Sequence, residues 1–178
     1  GRSDDDEFIP LESDIRTSDT TWCNTKECLE DPQVRAVSER MVEITQLPSV
    51  NHSEFMQFLR YKPCASPGAS DCQFYRAHHD TIPELGKMPC GPRVYTFFLY
   101  LSDVEEGGGT RFTKLGFDVQ PRAGSALLWP ATYNDRPFES DPRTMHEALP
   151  PTKGTKFAAN FWLHQYDYVK AHEAGCTA

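Results

Sequence analysis

Long apolar runs are missing from this chain of 178 residues. No stretch approaches the roughly 18 apolar residues that a membrane-spanning helix requires, so we expect no membrane span. Basic residues are also scarce, because 18 Lys and Arg stand against 26 Asp and Glu and give a formal net charge of −8. Proteins that bind mainly a nucleic-acid backbone present clustered Lys and Arg to its phosphates. The composition therefore argues against nucleic acid as a partner.

Two catalytic motifs are incomplete. Gly107-Gly108-Gly109 is not followed by Gly-Lys-Ser or Gly-Lys-Thr, so we interpret these glycines as a hairpin turn rather than a phosphate-binding loop. The pair His146-Glu147 lacks a second histidine four residues after the first, which argues against a zinc-protease helix. Neither a phosphate cradle nor a zinc protease is indicated.

The six cysteines form no paired Cys-x-x-Cys sets, which argues against a zinc ribbon. Their even number permits disulfides, and six reduced thiols in a cytosolic protein are the alternative. Cys64 and Cys72 flank a polar, turn-rich excursion that a short-range bridge would close. Asn51-His52-Ser53 fits the N-glycosylation acceptor pattern. We therefore expect the endoplasmic reticulum or secretory pathway, with the targeting segment outside this chain and the cytoplasm as the alternative.

The length is typical of one folded domain with a sizeable core. We expect a flexible acidic amino-terminal segment at residues 1–15, a folded domain at 16–170 and a carboxy-terminal tail at 171–178. Early in the domain, apolar residues three or four apart predict an amphipathic helix from Asp31 to Gln46. Asp31 is placed to cap this helix, and the proline that follows suits its first turn.

Most of the remaining domain has the pattern of short strands separated by turns. Many short strands, close turn signals and one early helix predict a mainly β protein. We expect a double-sheet jelly roll with the helix packed outside it. The strands are predicted at 54–62 with both faces covered, through His78, and at 93–101, 117–120, 125–129 and 156–166, with loops at 81–92 and 134–143.

A His-x-Asp pair lies on the predicted strand through His78. Side chains alternate along a strand, so His78 and Asp80 point to the same face while His79 points to the other. One imidazole and one carboxylate on a rigid strand supply two thirds of a facial metal site, and His146 is the candidate for the remaining third. Two histidines and one carboxylate are typical of non-haem Fe(II) oxygenases. The loop at 81–92 is well placed to act as a substrate lid.

The last predicted strand presents two different faces. Every second residue from Phe157 to Leu163 is apolar and predicts a core-facing side. The opposite face carries a cation, a large aromatic and an imidazole in Lys156, Trp162 and His164. A packed interior does not normally contain that set without a polar occupant. We expect Lys156 to share a pocket with the two histidines and the aspartate.

These residues and their neighbours resemble the prolyl 4-hydroxylases, which are 2-oxoglutarate- and Fe(II)-dependent dioxygenases with a double-stranded β-helix (jelly-roll, cupin-like) core. The resemblance covers most of the chain, and its run from Tyr100 to Gly108 is particularly specific. The matching segments are Arg16-Thr17-Ser18, Leu59-Arg60-Tyr61, His78-x-Asp80, Tyr100-Leu101-Ser102-Asp103-Val104-Glu105-Glu106-Gly107-Gly108, Gly124-Ser125-Ala126-Leu127-Leu128, His146, Gly154-x-Lys156 and Trp162-Leu163-His164.

The resemblance implies Fe(II) together with 2-oxoglutarate and O2 as co-substrates, and ascorbate as an accessory reductant. It makes residues 16–170 a catalytic domain. Its implied iron ligands are His78, Asp80 and His146. Lys156 would pair with the distal carboxylate of 2-oxoglutarate, helped by the hydroxyls of Tyr61 and Thr110, and it would complete the catalytic set. The residues implied on the peptide side of the pocket are Tyr75, Arg93, Trp162 and His164.

The implied reaction is hydroxylation of proline at C4 in a peptide or protein, with consumption of O2 and release of succinate and CO2. A proline-rich segment fits an aromatic-lined groove, and the alternatives are a hydroxylase of lysine, free proline or another small metabolite, or a catalytically silent barrel that binds proline-rich partners. The sequence does not choose among collagen-like, wall-protein and regulatory substrates, and we assume a monomer. The candidate groove aromatics are Tyr75, Tyr95, Trp129, Tyr133 and Trp162.

Overall fold

The computed structural model describes residues 9–10 and 15–177. The chain forms fourteen strands and three α-helices within these ranges. In chain order they are β1 (Ile9–Pro10), β2 (Asp19–Trp22), α1 (Lys26–Glu30), α2 (Pro32–Thr45), β3 (Gln57–Tyr61), β4 (Tyr75–His78), β5 (Arg93–Tyr100), β6 (Glu106–Gly107), β7 (Thr110–Phe112), β8 (Phe117–Val119), β9 (Ala126–Pro130), β10 (Thr132–Tyr133), β11 (Arg136–Ser140), β12 (His146–Ala148), β13 (Pro151–Lys153), β14 (Lys156–His164) and α3 (Tyr168–Glu173).

The larger sheet has six antiparallel strands in the order β1-β2-β3-β14-β5-β9. The alternation predicted for the last strand is confirmed, because Ala159, Phe161 and Leu163 are buried against Met41 of α2. Phe157, at the start of the same face, is 37% exposed. One face of this sheet therefore packs on the helix, and the other is left for the interior of the roll.

The smaller sheet has four strands in the order β4-β12-β7-β8. Apolar side chains of both sheets meet in the space between them, and this second cluster is the inner core of the roll. The predicted jelly roll with a flanking helix is therefore confirmed. The cluster contains Leu59, Tyr61, Phe98, Tyr100, Phe112, Trp129 and Ala158.

The helix expected from Asp31 to Gln46 is α2. The Asp31 carboxylate caps it by accepting hydrogen bonds from the backbone N–H groups of Gln33 and Val34, at 2.8 and 3.1 Å. Pro32 occupies the first turn, where its missing N–H costs nothing. Gln46 ends the helix in the left-handed region, with φ of 57°. The cap and turn residues therefore fix both ends close to the predicted bounds.

The hairpin turn predicted at Gly107-Gly108-Gly109 is wrong. The strands on either side of it, β5 and β7, belong to different sheets, and Glu106–Gly107 instead pairs with Pro151–Lys153. Gly107 has φ of +74°, and a Cβ there would lie 2.5 Å from the carbonyl oxygen of Pro150. The glycines therefore serve a crossing between sheets, where one backbone passes close to another.

Two other sequence predictions need correction. The loop expected at 134–143 contains β11, Arg136–Ser140, which pairs with β10 in a two-stranded ribbon. Pro137 fits there because an edge strand leaves room for a residue without an N–H. The strand expected at 54–62 is confined to Gln57–Tyr61, and its burial alternates instead of covering both faces. The predicted loop at 81–92 is confirmed, with one short 3-10 turn at Leu85–Lys87.

Two disulfides close short segments of the chain. The predicted Cys64–Cys72 bridge is present, and a second bridge that the sequence did not suggest joins Cys23 to Cys28. Cys90 is a buried free thiol, and Cys176 is an exposed one.

Regular secondary structure also occurs outside the bounds expected for the folded domain. Ile9–Pro10 pairs with β2 inside the segment expected to be flexible, and the rest of residues 1–14 lies outside the described ranges. Helix α3 crosses the boundary expected after residue 170, and Ala171 packs with Leu85 and Cys90. Among the described residues, no helix is long and apolar enough to cross a membrane.

Candidate metal centre

The three predicted metal ligands meet at the open end of the smaller sheet. His146 opens β12 and lies opposite His78, the last residue of β4. Asp80 follows two residues after His78. The candidate donor atoms of these three side chains all lie within 4.8 Å of one another. The register of one strand pair therefore brings together residues that are almost 70 positions apart in the sequence.

Both imidazoles are oriented by backbone carbonyl groups. His78 Nδ1 lies 2.7 Å from the carbonyl oxygen of Arg76, and His146 Nδ1 lies 2.9 Å from that of Thr144. A neutral imidazole that donates through Nδ1 keeps an unprotonated Nε2. The two Nε2 atoms lie 3.7 and 3.6 Å from the oxygens of Asp80. Both lone pairs therefore point toward the carboxylate, where a metal ion would bind.

The Asp80 carboxylate is held by three donors of the larger sheet. Thr96 Oγ1 and Trp129 Nε1 donate to Oδ2 at 2.6 and 3.2 Å, and Trp162 Nε1 donates to Oδ1 at 3.1 Å. Sequence reasoning missed Thr96 and gave the two tryptophans a different role. The signal available for Thr96 was a polar residue in the middle of the apolar run from Arg93 to Tyr100.

The protonation states suit a metal site. Burial raises the pKa of Asp80, but the neighbouring imidazoles of His146 and His78 outweigh that effect, and the pKa falls to about 2. Burial, followed by the nearby His146, lowers the pKa of His78 to about 4. At neutral pH an ionised carboxylate therefore lies beside an unprotonated His78, and these are the forms that bind divalent metals.

A cavity opens beside the three residues. Tyr75 forms one wall, and its ring stacks on that of His78 with centroids 3.6 Å apart. Phe98 and Thr110 line the same cavity. The metal donors therefore face the same cavity as these side chains.

Lys156 is buried in the inner core, next to Tyr61 and Phe98, which line this cavity. Its side chain is 0% exposed, and Nζ has no hydrogen-bond partner among the residues that the structure describes. The nitrogen instead lies over the rings of Tyr61, Phe98 and Tyr100, at 5.2, 5.4 and 5.5 Å from their centres. Burial lowers the pKa of Lys156 to about 7. An anionic occupant would favour the protonated form of this buried amine and would supply the partner that it lacks.

The two hydroxyl residues predicted to help Lys156, Tyr61 and Thr110, both line the cavity. Tyr61 lines the cavity and is 1% exposed, and burial raises its pKa, so its hydroxyl stays protonated. Thr110 Oγ1 accepts a hydrogen bond from the Tyr100 hydroxyl at 2.8 Å, which leaves its own proton available. Both residues therefore carry a protonated hydroxyl, and the Tyr61 ring also contacts the lysine.

Arg93 and His164, predicted on the peptide side, are buried in an ion-pair network. The Arg93 guanidinium forms a two-pronged pair with the carboxylate of Glu54. His164 is 0% exposed, with Nε2 2.9 Å from Glu54 Oε1 and Nδ1 2.8 Å from the carbonyl oxygen of Gly91. Burial raises the pKa of Glu54, but Arg93 outweighs it and the pKa is lowered. Glu54 was not predicted as a site residue.

The aromatic residues predicted to line one groove are divided between two places. Tyr75 lines the metal-side cavity, and Trp129 and Trp162 contact Asp80. Tyr95 and Tyr133 line a separate cavity near the end of α2. Tyr95 lies on the helix side of β5 because side chains alternate along a strand.

The donor set fits a divalent metal. Two imidazoles and one carboxylate with an adjoining cavity form the facial arrangement of non-haem Fe(II) oxygenases. Within the described ranges, the second cluster of metal-binding side chains is Cys64, Asp71 and Cys72, but its two sulfurs are bonded to each other. The fold and the site thus define a jelly-roll protein with a 2-His-1-carboxylate centre.

Comparison with known proteins assigns the family. Residues 56–164 match the family model described as 2OG-Fe(II) oxygenase superfamily. The chain belongs to the 2OG-Fe(II) oxygenase superfamily. That membership confirms the predicted class of 2-oxoglutarate-dependent dioxygenases and its cofactors Fe(II), 2-oxoglutarate and O2.

Similar proteins confirm the resemblance to the prolyl 4-hydroxylases. Prolyl 4-hydroxylase 1 of Arabidopsis thaliana is 31% identical over 169 residues, which are 87% of this chain and 56% of the relative. Prolyl 4-hydroxylase subunit alpha-1 of Rattus norvegicus is 31% identical over 150 residues, 84% of this chain and 26% of the relative. The chain thus spans about half or less of the length of these relatives.

A solved structure supports the fold. The viral collagen prolyl hydroxylase of Paramecium Bursaria Chlorella virus-1, determined in complex with 2OG, superposes with a TM-score of 0.63 and 24% identity. The superposition covers 84% of this chain and 79% of the viral chain.

Proposed function

We propose that this chain is the catalytic part of an Fe(II)- and 2-oxoglutarate-dependent prolyl 4-hydroxylase that acts on proline in a peptide or protein and releases succinate and CO2. The observation that carries the proposal is the buried ammonium of Lys156, which lies over the rings of Tyr61 and Phe98, two residues that line the cavity of the metal centre. A binding module has no need for such a group, whereas the distal carboxylate of 2-oxoglutarate neutralises it. The prolyl 4-hydroxylase relatives support proline as the substrate.

The side chains of the site have separate tasks. Iron with 2-oxoglutarate and O2 supplies the oxidant that hydroxylates an unreactive C–H bond. His78 and His146 bind the metal through Nε2, and the Asp80 carboxylate completes the facial set. Lys156 binds the distal carboxylate of the co-substrate, and the hydroxyls of Tyr61 and Thr110 donate to that carboxylate.

The surroundings of Lys156 strengthen its interaction with an anion. The three aromatic rings around Nζ exclude water from the ion pair. A charge pair in such a dry environment is screened far less than one at the surface. The same rings cannot neutralise the ammonium by hydrogen bonding, so the co-substrate satisfies a group that the fold leaves unsatisfied.

Substrate turnover tests the proposal directly. The protein is incubated anaerobically with Fe(II) and 2-oxoglutarate, O2 is admitted, and succinate and substrate mass are followed together. The substrates are a proline-rich peptide, a collagen-like peptide, free proline and a lysine peptide. A gain of one oxygen on a peptide proline, coupled to succinate, is the expected result. Succinate without a gain on any proline would refute the substrate, and the absence of succinate from iron-loaded protein would refute the enzyme.

Two histidine variants provide the matched controls. His146→Ala removes a proposed metal ligand and should abolish both products. His79→Ala removes an imidazole that neighbours His78 but does not belong to the donor cluster, so it should retain turnover. Equal losses in both variants would show that the activity responds to general damage in this region.

The secretory pathway is part of the same proposal. The two short-range disulfides and the exposed side chain of Asn51 support it. Expression of the full-length protein in its source cells, followed by glycosidase treatment, should increase gel mobility for the wild type and leave Asn51→Gln unchanged. A wild-type protein that glycosidase does not shift and that fractionates with the cytosol would contradict this assignment.

A further inference from the structure

A buried ion pair contacts the aspartate of the metal centre along two routes. Arg93 Nη1 donates to the main-chain carbonyl oxygen of Asp80 at 3.1 Å. The same guanidinium lies over the ring of Trp162, 4.0 Å from its centre. The Trp162 indole in turn donates to Asp80 Oδ1. Arg93 therefore acts on the backbone of Asp80 directly and on its carboxylate through one aromatic ring.

Asp80 needs such support because of its place in the chain. β4 ends at His78, so the aspartate lies past the last ladder hydrogen bonds of its strand. The loop at 81–92 follows, and loops of this length are usually mobile. Arg93 is the first residue of β5, a strand that is paired on both sides. The guanidinium thus attaches a loop residue to a rigid strand.

Glu54 fixes the orientation of the guanidinium. Its two oxygens accept from Nε and Nη2 of Arg93, which leaves Nη1 directed at Asp80. His164 contacts the same carboxylate and also the carbonyl oxygen of Gly91, two residues before the arginine. The side chains of Arg93 and Glu54 are only 10% and 7% exposed, so solvent screens this pair little. The planar fork of arginine suits this geometry, and a lysine cannot reproduce it.

We propose that Arg93, Glu54 and Trp162 are positioning residues that hold Asp80 in its metal-binding conformation and thereby set the metal affinity of the centre. The inference rests on the metal site of the proposed function. It gives Arg93 a role inside the protein, distinct from the peptide contact that sequence resemblance implied. Residues that orient a ligand from outside the coordination shell commonly change metal affinity 10- to 100-fold when they are replaced.

Metal binding in the absence of substrates tests this role. Arg93→Lys keeps the charge but loses the fork, and Trp162→Phe keeps the aromatic face but loses the indole N–H. Affinity for Fe(II) and Co(II) is measured anaerobically by competition with a chelator, and the visible absorption of the Co(II) form reports ligand geometry. Each variant should bind about 10- to 100-fold more weakly with a changed Co(II) spectrum. The double variant should lose less than the product of the two single effects, because both act through Asp80.

The control is another arginine–carboxylate pair of the same sheet. Arg60 donates to Asp19 at 2.8 Å, and neither belongs to the metal-donor cluster. Arg60→Lys should lower the melting temperature of the metal-free protein while it leaves Fe(II) affinity within about twofold and the Co(II) spectrum unchanged. That contrast separates a specific effect on the ligand from a general loss of packing.

Three results would overturn the inference. Arg93→Lys and Trp162→Phe with lower melting temperatures but wild-type metal affinity would make both residues merely structural. Weaker peptide binding by Arg93→Lys with unchanged metal affinity would instead support the peptide contact that the resemblance implied for Arg93. If Arg93→Lys fails to fold, a wild-type Co(II) spectrum and affinity in Trp162→Phe suffice to reject the inference. A wild-type protein that binds neither Fe(II) nor Co(II) would instead refute the metal centre itself.

Discussion

Replacement of Lys156 by methionine should have opposite effects on co-substrate binding and on the stability of the metal-free protein. Methionine keeps the length and apolar stem of the side chain but removes the ammonium. In the empty site the ammonium is desolvated and has no hydrogen-bond partner in the described part of the chain. With 2-oxoglutarate bound, the same ammonium is the partner of a buried carboxylate. Lys156→Met therefore removes a desolvation cost from the protein without co-substrate, and it removes an ion pair from the complex with 2-oxoglutarate.

The effect on binding follows from the loss of a buried ion pair. Removal of one partner of such a pair costs about 3–5 kcal/mol because the other charge is left buried and unpaired. Since each 1.4 kcal/mol is a factor of ten, the Kd for 2-oxoglutarate should rise about 10²- to 4 × 10³-fold. Lys153→Met is the matched control, because that lysine side chain is 60% exposed and pairs with Glu105 at the surface. Its 2-oxoglutarate affinity should equal that of the wild type.

The effect on stability depends on pH. The pKa of Lys156 is about 7 in the folded protein, against 10.5 for an unperturbed lysine. Between these values the unfolded chain binds more protons than the folded one, so stability rises with pH there, and below pH 7 the full penalty of roughly 5 kcal/mol applies. From pH 6 to pH 9 the free energy of unfolding should gain about 2–3 kcal/mol from this residue.

Urea unfolding of metal-free wild type and Lys156→Met at pH 6 and pH 9 measures the contribution of Lys156 to the free energy of unfolding. Other titrating groups are common to both proteins, so the difference between the two pH slopes isolates the lysine. Lys156→Met should be the more stable protein at pH 6, and its advantage should shrink at pH 9. Equal pH slopes would refute the burial of the Lys156 ammonium. A variant that binds 2-oxoglutarate as tightly as the wild type would refute its pairing with the co-substrate.

Three further perturbations have defined outcomes. Cys64→Ser combined with Cys72→Ser opens a loop of about nine residues and should lower the free energy of unfolding by about 2–3 kcal/mol in urea. Reduction of the wild type also opens Cys23–Cys28 and should cost more than the double variant does, and no loss in the variant would contradict the bridge. Gly107→Ala should cost at least about 1–3 kcal/mol and lower the melting temperature, because its Cβ meets the Pro150 carbonyl at a positive φ; a wild-type melting temperature would refute the close approach. His78→Ala should weaken Co(II) binding more than about 100-fold, beyond the effect of an outer-shell change, and a retained Co(II) spectrum would remove His78 from the ligand set.

Patterns that depend on local geometry were predictable from the sequence. Strand alternation alone placed Lys156, Trp162 and His164 on one face of β14 and Phe161 and Leu163 on the other, and the structure has both faces as expected. A carboxylate cap and a first-turn proline likewise fixed the start of α2. These features need no knowledge of which distant segment packs against which.

Features that depend on a distant partner were not predictable in the same way. A glycine run indicates a change of chain direction, but it does not show whether the next strand pairs with the previous one. The sequence therefore predicts a hairpin at Gly107, where the structure has a connection between two sheets. Pro137 indicated a loop because the pattern does not show that its strand lies at an edge. Glu54 looked like an ordinary polar residue, since its importance comes from an arginine 39 positions later.

The metal centre lies across the interface of the two sheets. His78 and His146 belong to the smaller sheet, whereas the groups that hold the third ligand extend from the larger one. A bound ion would therefore add a link between the two layers, beside the main-chain hydrogen bonds that join the β4 region to residues 15–17 before β2. Metal removal should selectively increase amide hydrogen exchange in β4 and β12 and leave the centre of β14 protected. Metal binding would then reduce local opening of β4 and β12, so the residues of the metal centre would also stabilise this end of the fold.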